Sequence, residues 1–350
     1  MVIRSVRGTI EAWPRCALGG VRHVEDVLRR TLRIISWLLF LAAVTCGVLA
    51  IVGPRVTPAW FALASAAPMH AVLFLMAGVM TARMRQWHML RITLAIAGVW
   101  LALGADATLG ARSFAVAPSA GSITVVSANL MAGNTQVERF ADQLLAQDPD
   151  VIVTIETTTD TIAALDHALV GFTRASTSTA ARWVDEDYVV IWTRLKFTER
   201  PVLVIADREL PVVDVATENG PVRIVGVHLS SPTTPEYVLR VEREFNELSH
   251  ADIGDTPTVL IGDFNTSVWS PALRGLRIDG RRFHSAERIR GALFAPTWPA
   301  LRTDRTFGLA VPVLDLDHGM IAGLGVSAFG RFAVAGSDHV GIRFELSSVR

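Results

Sequence analysis

The feature that most constrains this chain is a set of long, uncharged apolar runs in its first third, which a water-facing element cannot carry. No charged residue occurs from Ile34 to Val52, close to the ~20 residues needed to cross ~30 Å of hydrocarbon. Ala59 to Ala82 is a second such run, accommodating Pro68 and His70. Ile92 to Ala105 with its flank Trp87 to Leu90 is a shorter third, interrupted by Arg91. We read spans at 34–52, 59–82 and 87–105 within a transmembrane region 34–105. A cleaved signal peptide fits less well, because the charged leader is long and more apolar sequence follows instead of a soluble domain.

Charge patterning assigns the sides. The 33 basic and 33 acidic residues balance overall, but residues 1–110 hold 11 basic against 4 acidic and the remainder 22 against 29. The leader, 1–33, carries Arg4, Arg7, Arg15, Arg22, Arg29, Arg30 and Arg33. The first loop has only Arg55, and the second has Arg83, Arg85 and Arg91. Positive residues stay inside, so this is an integral cell-membrane protein whose leader is cytoplasmic. Three spans deliver everything after residue 106 to the extracytoplasmic side; two would leave it in the cytoplasm. The lipid bilayer is a partner through these helices, and no protein partner is implied. The only cysteines, Cys16 and Cys46, give the later part no disulfide of its own.

Residues 106–121, with Gly110, Pro118 and Gly121, read as a linker. From 122 to 350 the texture becomes short apolar strands with interspersed helices. Strands are expected at 123–127, 150–155, 189–192, 202–206, 212–215, 222–227, 258–261, 314–321 and 339–346. Helices are expected at 136–146 and 236–248. This pattern indicates a layered α/β sandwich rather than a doubly wound parallel sheet.

Polar residues recur where those apolar runs end. Val259-Leu260-Ile261-Gly262-Asp263-Phe264-Asn265-Thr266 sets a carboxylate and an amide at i and i+2, on one side of an extended segment. That pair suits a hard divalent cation and a phosphate oxygen. Val126-Ser127-Ala128-Asn129, Ile155-Glu156-Thr157, Val227-His228-Leu229, Leu316-Asp317-His318 and Gly336-Ser337-Asp338-His339 repeat the arrangement. Each alone is explained by a turn, a cap or a buried histidine; six in this order point to one site.

With these segments the chain resembles the endonuclease/exonuclease/phosphatase superfamily. Its members include pancreatic-type deoxyribonucleases, apurinic endonucleases, neutral sphingomyelinases and inositol polyphosphate 5-phosphatases. The resemblance covers residues 121–347, and Gly-Asp-Phe-Asn with the late Ser-Asp-His is its most specific part. It implies a four-layered α/β sandwich, two packed, mainly antiparallel sheets flanked by helices, and an enzyme that hydrolyses phosphoric esters with Mg²⁺ or Mn²⁺. Glu156 resembles the principal metal ligand, with Asn129 beside it near metal and phosphate. Asp263 resembles the group that activates water, Asn265 the amide on a phosphate oxygen, and His339 the histidine on the scissile phosphate. Asp338 is similar to its metal-side neighbour, and Asp317 to the carboxylate that orients His339. His228 resembles the second histidine, on the leaving side, with Glu186 or Asp187 as its carboxylate. Arg194 matches the arginine after the middle strand and is expected at the substrate. Met131 stands where many members have an acidic residue, which weakens a second metal site. Thr297-Trp298-Pro299 also matches a common segment, with packing its simpler role.

The substrate stays open between a lipid head group, nucleic acid and a soluble phosphoester. A domain of net −7 whose only lysine is Lys196 argues modestly against dedicated nucleic-acid binding. The arginines from Arg274 to Arg290 are read first as a solvated face. The alternatives are a cytoplasmic-facing nuclease and a catalytically silent binding module.

Overall fold

The computed structural model describes residues 15–52, 67–178, 187–301 and 310–347. Three helices come first: α1 (Arg15–Val52), α2 (Ala67–Arg83) and α3 (Trp87–Arg112). Within them Glu25–Val48 and Trp87–Arg112 are long and apolar enough to cross a membrane, and His70–Arg83 is a shorter apolar helix. The part of the expected second span at 59–66 lies outside the described residues. Two expectations shift here. The leader from residue 15 is already helical, and α3 continues to Arg112, through the first half of the stretch read as a linker.

The rest builds two six-stranded sheets. The first has the order β13-β14-β1-β2-β4-β3, from β1 (Ile123–Asn129), β2 (Val151–Thr157), β3 (Thr173–Thr177), β4 (Tyr188–Thr193), β13 (Gly325–Ala333) and β14 (Val340–Ser347). The second has the order β11-β12-β8-β7-β6-β5, from β5 (Phe197–Ile205), β6 (Arg208–Thr217), β7 (Gly220–His228), β8 (Thr258–Asp263), β11 (His284–Ser285) and β12 (Asp317–Ala322). A short ribbon, β9 (Arg277–Ile278) with β10 (Arg281–Arg282), lies apart.

Each sheet contains one parallel pair, β1–β2 and β7–β8, and is otherwise antiparallel. A parallel pair needs a crossover, supplied by α4 (Val137–Leu145) and α6 (Pro235–Ser249). The strand period of two sorts the side chains into layers. Val125, Val151, Val153 and Ile191 face Val213, Ile224, Val259 and Ile261 between the sheets. Val126, Ala128, Ile152 and Trp192 point outward, under Phe140 and Leu144 of α4 and Leu165 of α5 (Thr159–Ala168). Leu260 and Val225 point to the opposite outside, under Val241, Phe245 and Leu248 of α6. The result is the expected four-layered sandwich.

Helix α5 and strands β3 and β13 were not expected. Thr173-Arg174-Ala175-Ser176-Thr177 has almost no apolar signal, and β13 is broken by Gly325 and Gly330; both lie at sheet edges, where one neighbour suffices. α5 is short and Thr-rich, its start held by the Thr158 hydroxyl accepting from the Thr161 N–H at 3.2 Å.

Gly262 ends the apolar run of β8 for a steric reason. Its φ is +144°, and a Cβ there would lie 2.0 Å from the Val227 carbonyl oxygen of the neighbouring strand. Gly262→Ala is therefore expected to cost about 1–3 kcal/mol or more, read as a lowered urea midpoint of the solubilised protein. An unchanged midpoint would contradict this account of the strand end.

Candidate active site

Parallel strands that share a sheet end at the same edge. The C-terminal ends of β1, β2, β7 and β8 carry Asn129, Glu156, His228 and Asp263, and the antiparallel β4, β12 and β14 begin beside them at Asp187, Asp317 and His339. Register makes the juxtaposition specific, because His228 pairs with Asp263 across β7–β8 and Asp317 with Asp263 across β12–β8. One edge of the sandwich thus gathers groups from both sheets.

Local backbone strain aims them. Glu156 has φ +53° where the β2–β4 register shifts, a bulge that turns its carboxylate out of the strand. Asn265 at φ +50° and Met131 at φ +60° are also left-handed. Three such non-glycine residues around one edge are held there by their surroundings. Asn129, fully buried, donates from Nδ2 to Glu156 Oε1 at 2.9 Å and to Asp263 Oδ2 at 3.1 Å, and its Oδ1 accepts from the Met131 N–H at 3.0 Å. The second Glu156 oxygen accepts from the Ala132 N–H at 3.1 Å.

Each histidine has its own carboxylate. His339 Nδ1 lies 2.8 Å from Asp317 Oδ2, leaving Nε2 3.8 Å from Asp263 Oδ2. His228 Nδ1 lies 3.0 Å from Asp187 Oδ1, so Asp187 is the partner between the two candidates, and Glu186 lies outside the described residues. Burial opposes charge on both rings, but the adjacent carboxylates outweigh it, raising His228 to about 9 and His339 to about 10. Asp187 is the converse: burial would raise it, yet His228 and Arg208 hold it low. Burial, with the Asp317 charge, pushes Asp263 up to about 6 against the pull of both histidines.

The donors fit a hard cation. Ligand atoms of Glu156, His228 and Asp263 lie within 4.8 Å of one another, as do those of Asp263, Asp317 and His339. Asp317 Oδ1 is buried without a hydrogen-bond partner among the described residues. Three of these five residues are carboxylates and none is a thiol, which suits Mg²⁺ or Mn²⁺ better than a thiophilic metal.

Not every expected residue joins. Asp338 is buried, but its Oδ2 accepts from Trp298 Nε1 at 3.1 Å and it belongs to neither donor group. Asn265 donates from Nδ2 to the Leu229 carbonyl at 2.9 Å while its N–H caps Asp263 Oδ1 at 2.7 Å. Arg194 is a correction. It follows β4, whose Thr193 pairs with Val151 at the start of β2, so it sits at the opposite edge, bound to Asp150 at 2.8 Å and Asp148 at 3.0 Å.

Several supports were not legible as such. The Ser337 hydroxyl donates to the Asn129 carbonyl at 2.6 Å and accepts the His339 N–H at 2.9 Å. The Thr297 hydroxyl accepts the N–H groups of Leu316 and Asp317, both at 3.2 Å. Fully buried Glu244 binds Ser230 and Arg208, and Arg208 donates to the His228 carbonyl at 3.2 Å. Behind the edge, His318 Nδ1 meets Glu287 Oε1 at 2.8 Å and Nε2 meets the Thr266 carbonyl at 2.9 Å, pinning the loop that carries Asn265. The Ser-Asp-His, Thr-Trp-Pro and Leu-Asp-His spellings were the sequence signals for these.

One edge thus gathers carboxylates beside two histidines that each have a carboxylate partner. The Endonuclease/Exonuclease/phosphatase family profile matches residues 126–339. The chain belongs to that family of divalent-metal-dependent enzymes and is a phosphoric-ester hydrolase. Among solved structures, truncated Caenorhabditis elegans TDP2 is 18% identical with TM-score 0.51, over 65% of this chain and 98% of that one. A second C. elegans TDP2 structure is 19% identical with TM-score 0.51, over 65% and 75%. The endonuclease/exonuclease/phosphatase from Beutenbergia cavernae is 21% identical with TM-score 0.49, over 65% and 72%. The likeness to the two TDP2 structures is one of fold alone. No curated protein matches the sequence.

The His318–Glu287 pair carries a pH signature. Burial opposes the charge on His318, yet Glu287 raises it to about 9, above an unfolded value of ~6.5. The stability it contributes is full below about pH 6.5 and is lost as pH rises through about 9. Glu287→Gln is expected to cost about 3–5 kcal/mol at pH 6 and clearly less at pH 9.5, by urea unfolding. An equal cost at both pH values would contradict the pairing.

Proposed function

We propose that this protein is a membrane-anchored phosphoesterase using Mg²⁺ or Mn²⁺, with Glu156 and Asn129 holding the ion and Asp263, Asn265, His228, His339, Asp317 and Asp338 around the reacting phosphate. The observation that carries the reading is the convergence, at one edge, of Glu156 and Asp263 with two histidines that each have a carboxylate behind them.

The bound cation supplies positive charge against the ester's negative oxygens as the transition state forms. Asp263, lifted toward neutral pH, is suited to accept a proton from the attacking water. His339, fixed through Nδ1 by Asp317, presents Nε2 and its proton to a non-bridging phosphate oxygen. His228, fixed by Asp187, is the donor for the departing oxygen. Asn265 offers its amide to phosphate, and Asp338 supports His339 through charge.

The apolar helices support the anchor. α1 and α3 meet the length and hydropathy needed to cross, α2 is shorter, and Arg83, Arg85 and Arg91 cluster at the α2–α3 turn. That distribution supports a cytoplasmic N-terminus and an extracytoplasmic catalytic domain.

The test is hydrolysis of bis-p-nitrophenyl phosphate and p-nitrophenyl phosphate by the purified full chain with Mg²⁺, Mn²⁺ or EDTA. Metal-dependent turnover is expected, falling by about 10²–10⁴-fold in His339→Ala. Turnover that ignores both EDTA and the substitution, or none from a folded protein, would contradict the reading.

A further inference from the structure

Helix α3 does not simply end where the catalytic domain begins; it runs along it. Trp100 stacks on Trp269 with ring centroids 4.4 Å apart and 8° between planes. One turn on, the Gly104 carbonyl accepts from Arg288 Nη1 at 3.2 Å. Ala111 is buried with Ile321 and Val326, and the Phe114 carbonyl accepts the Val326 N–H at 2.9 Å.

These contacts have a direction. Trp269 follows the Asn265 loop, and its Nε1 donates to the Leu293 carbonyl at 3.2 Å, close before Thr297 and Trp298, so it lies at the catalytic edge. Val326 lies past the other end of β12, at the far edge. As α3 proceeds from Trp100 to Phe114 it therefore travels from the catalytic edge towards the far one. Its earlier apolar half, Trp87 to Val99, projects beyond the catalytic edge, with Phe74 of α2 beside Trp100 and Ser36 of α1 bonded to Gln86 at 2.7 Å.

Distance along the helix sets the depth. Between Trp87 and Trp100, α3 rises about 20 Å, less than the ~30 Å hydrocarbon thickness. A bilayer that starts at Trp87 thus reaches the level of the Trp100–Trp269–Phe294 stack and extends about 10 Å past it, over the rim of the catalytic edge. The rim there is apolar: Leu293, Phe294, Leu301 and Val311 are all large and exposed. Leu301 follows Ala300, whose N–H donates to the Asp338 carbonyl, and Val313 pairs with Trp298, which places this rim beside His339.

We propose that the catalytic edge faces the bilayer, its apolar rim resting in the outer leaflet, and that the substrate is a phosphoester carried by a membrane lipid. This rests on the membrane-anchored phosphoesterase reading above. A lipid phosphate at the surface meets Glu156, Asp263 and the histidines directly. A long nucleic-acid duplex has to enter between domain and membrane.

The experiment uses the full chain in vesicles and two esters of one chemistry. p-Nitrophenyl hexadecyl phosphate partitions into the bilayer; methyl p-nitrophenyl phosphate stays in water. In both, water oxygen bonds to phosphorus, the phosphorus–aryl-oxygen bond breaks, and p-nitrophenol and an alkyl phosphate result. At equal bulk concentration the hexadecyl ester is expected to turn over at least about tenfold faster, and Leu301→Asp with Val311→Asp is expected to erase most of that advantage while sparing the methyl ester. Orientation is read separately, in a Cys16→Ser, Cys46→Ala background, by bimane on Leu301→Cys, Val311→Cys or far-edge Lys196→Cys in vesicles with brominated acyl chains. Quenching at 301 and 311 but not at 196 supports the proposal. Turnover of the methyl ester without preference for the hexadecyl ester, or quenching at 196 rather than the rim, overturns it and leaves the phosphoesterase intact. Cleavage of neither ester overturns the phosphoesterase, and the lipid substrate with it, whatever the labels report.

Discussion

The candidate catalytic edge depends on one buried amide. Asn129 ends β1 in the first sheet, yet its Nδ2 reaches Glu156 of that sheet and Asp263 of the second. Two carboxylates converging from separate sheets repel each other, and the buried position of Asp263 makes that repulsion costly. A neutral donor between them satisfies one oxygen of each and links the two sheets at this edge. The Asn129 carbonyl is in turn held by Ser337, which also takes the His339 N–H, so the same residue sets the position of the histidine.

Around that bridge the fold repeats one device. Each sheet supplies a strand-helix-strand crossover whose parallel strands end at the same edge, Asn129 with Glu156 and His228 with Asp263. Antiparallel neighbours then bring the orienting carboxylates to those ends, Asp187 ahead of β4 and Asp317 at the start of β12. Buried charge is tolerated because it is distributed in pairs. A carboxylate beside each histidine favours its protonated form, and burial with the Asp317 charge raises Asp263 to about 6.

The sequence carried much of this, for identifiable reasons. Apolar runs of period two end abruptly at Asn129, Glu156, His228 and Asp263, so the edge could be read from where hydrophobicity stops. Asp317 was legible by its place beside His318, and Asp187 only as one of two candidates, because spacing does not encode which carboxylate a cross-strand neighbour presents. Arg194 misled because it is adjacent in sequence to a site strand but leaves it at the wrong end. Glu244 and Glu287 could not be found, and Thr297 was noted only within Thr297-Trp298-Pro299, since their roles exist only through contacts made between distant segments. The passage of α3 along the domain was equally hidden: its apolar pattern says nothing of the domain, and Trp100 against Trp269, with Ala111 among Ile321 and Val326, reveals that helix and domain share a core.

The central claim, that this edge is built for a hard divalent cation, is most directly tested by titrating the full chain with Mn²⁺ and following free Mn²⁺ by electron paramagnetic resonance, for the native protein and Glu156→Gln. The account predicts saturable binding by the native chain, weakened at least about tenfold by the substitution. Equal affinity in the two proteins, or no saturable binding by the native one, would contradict it.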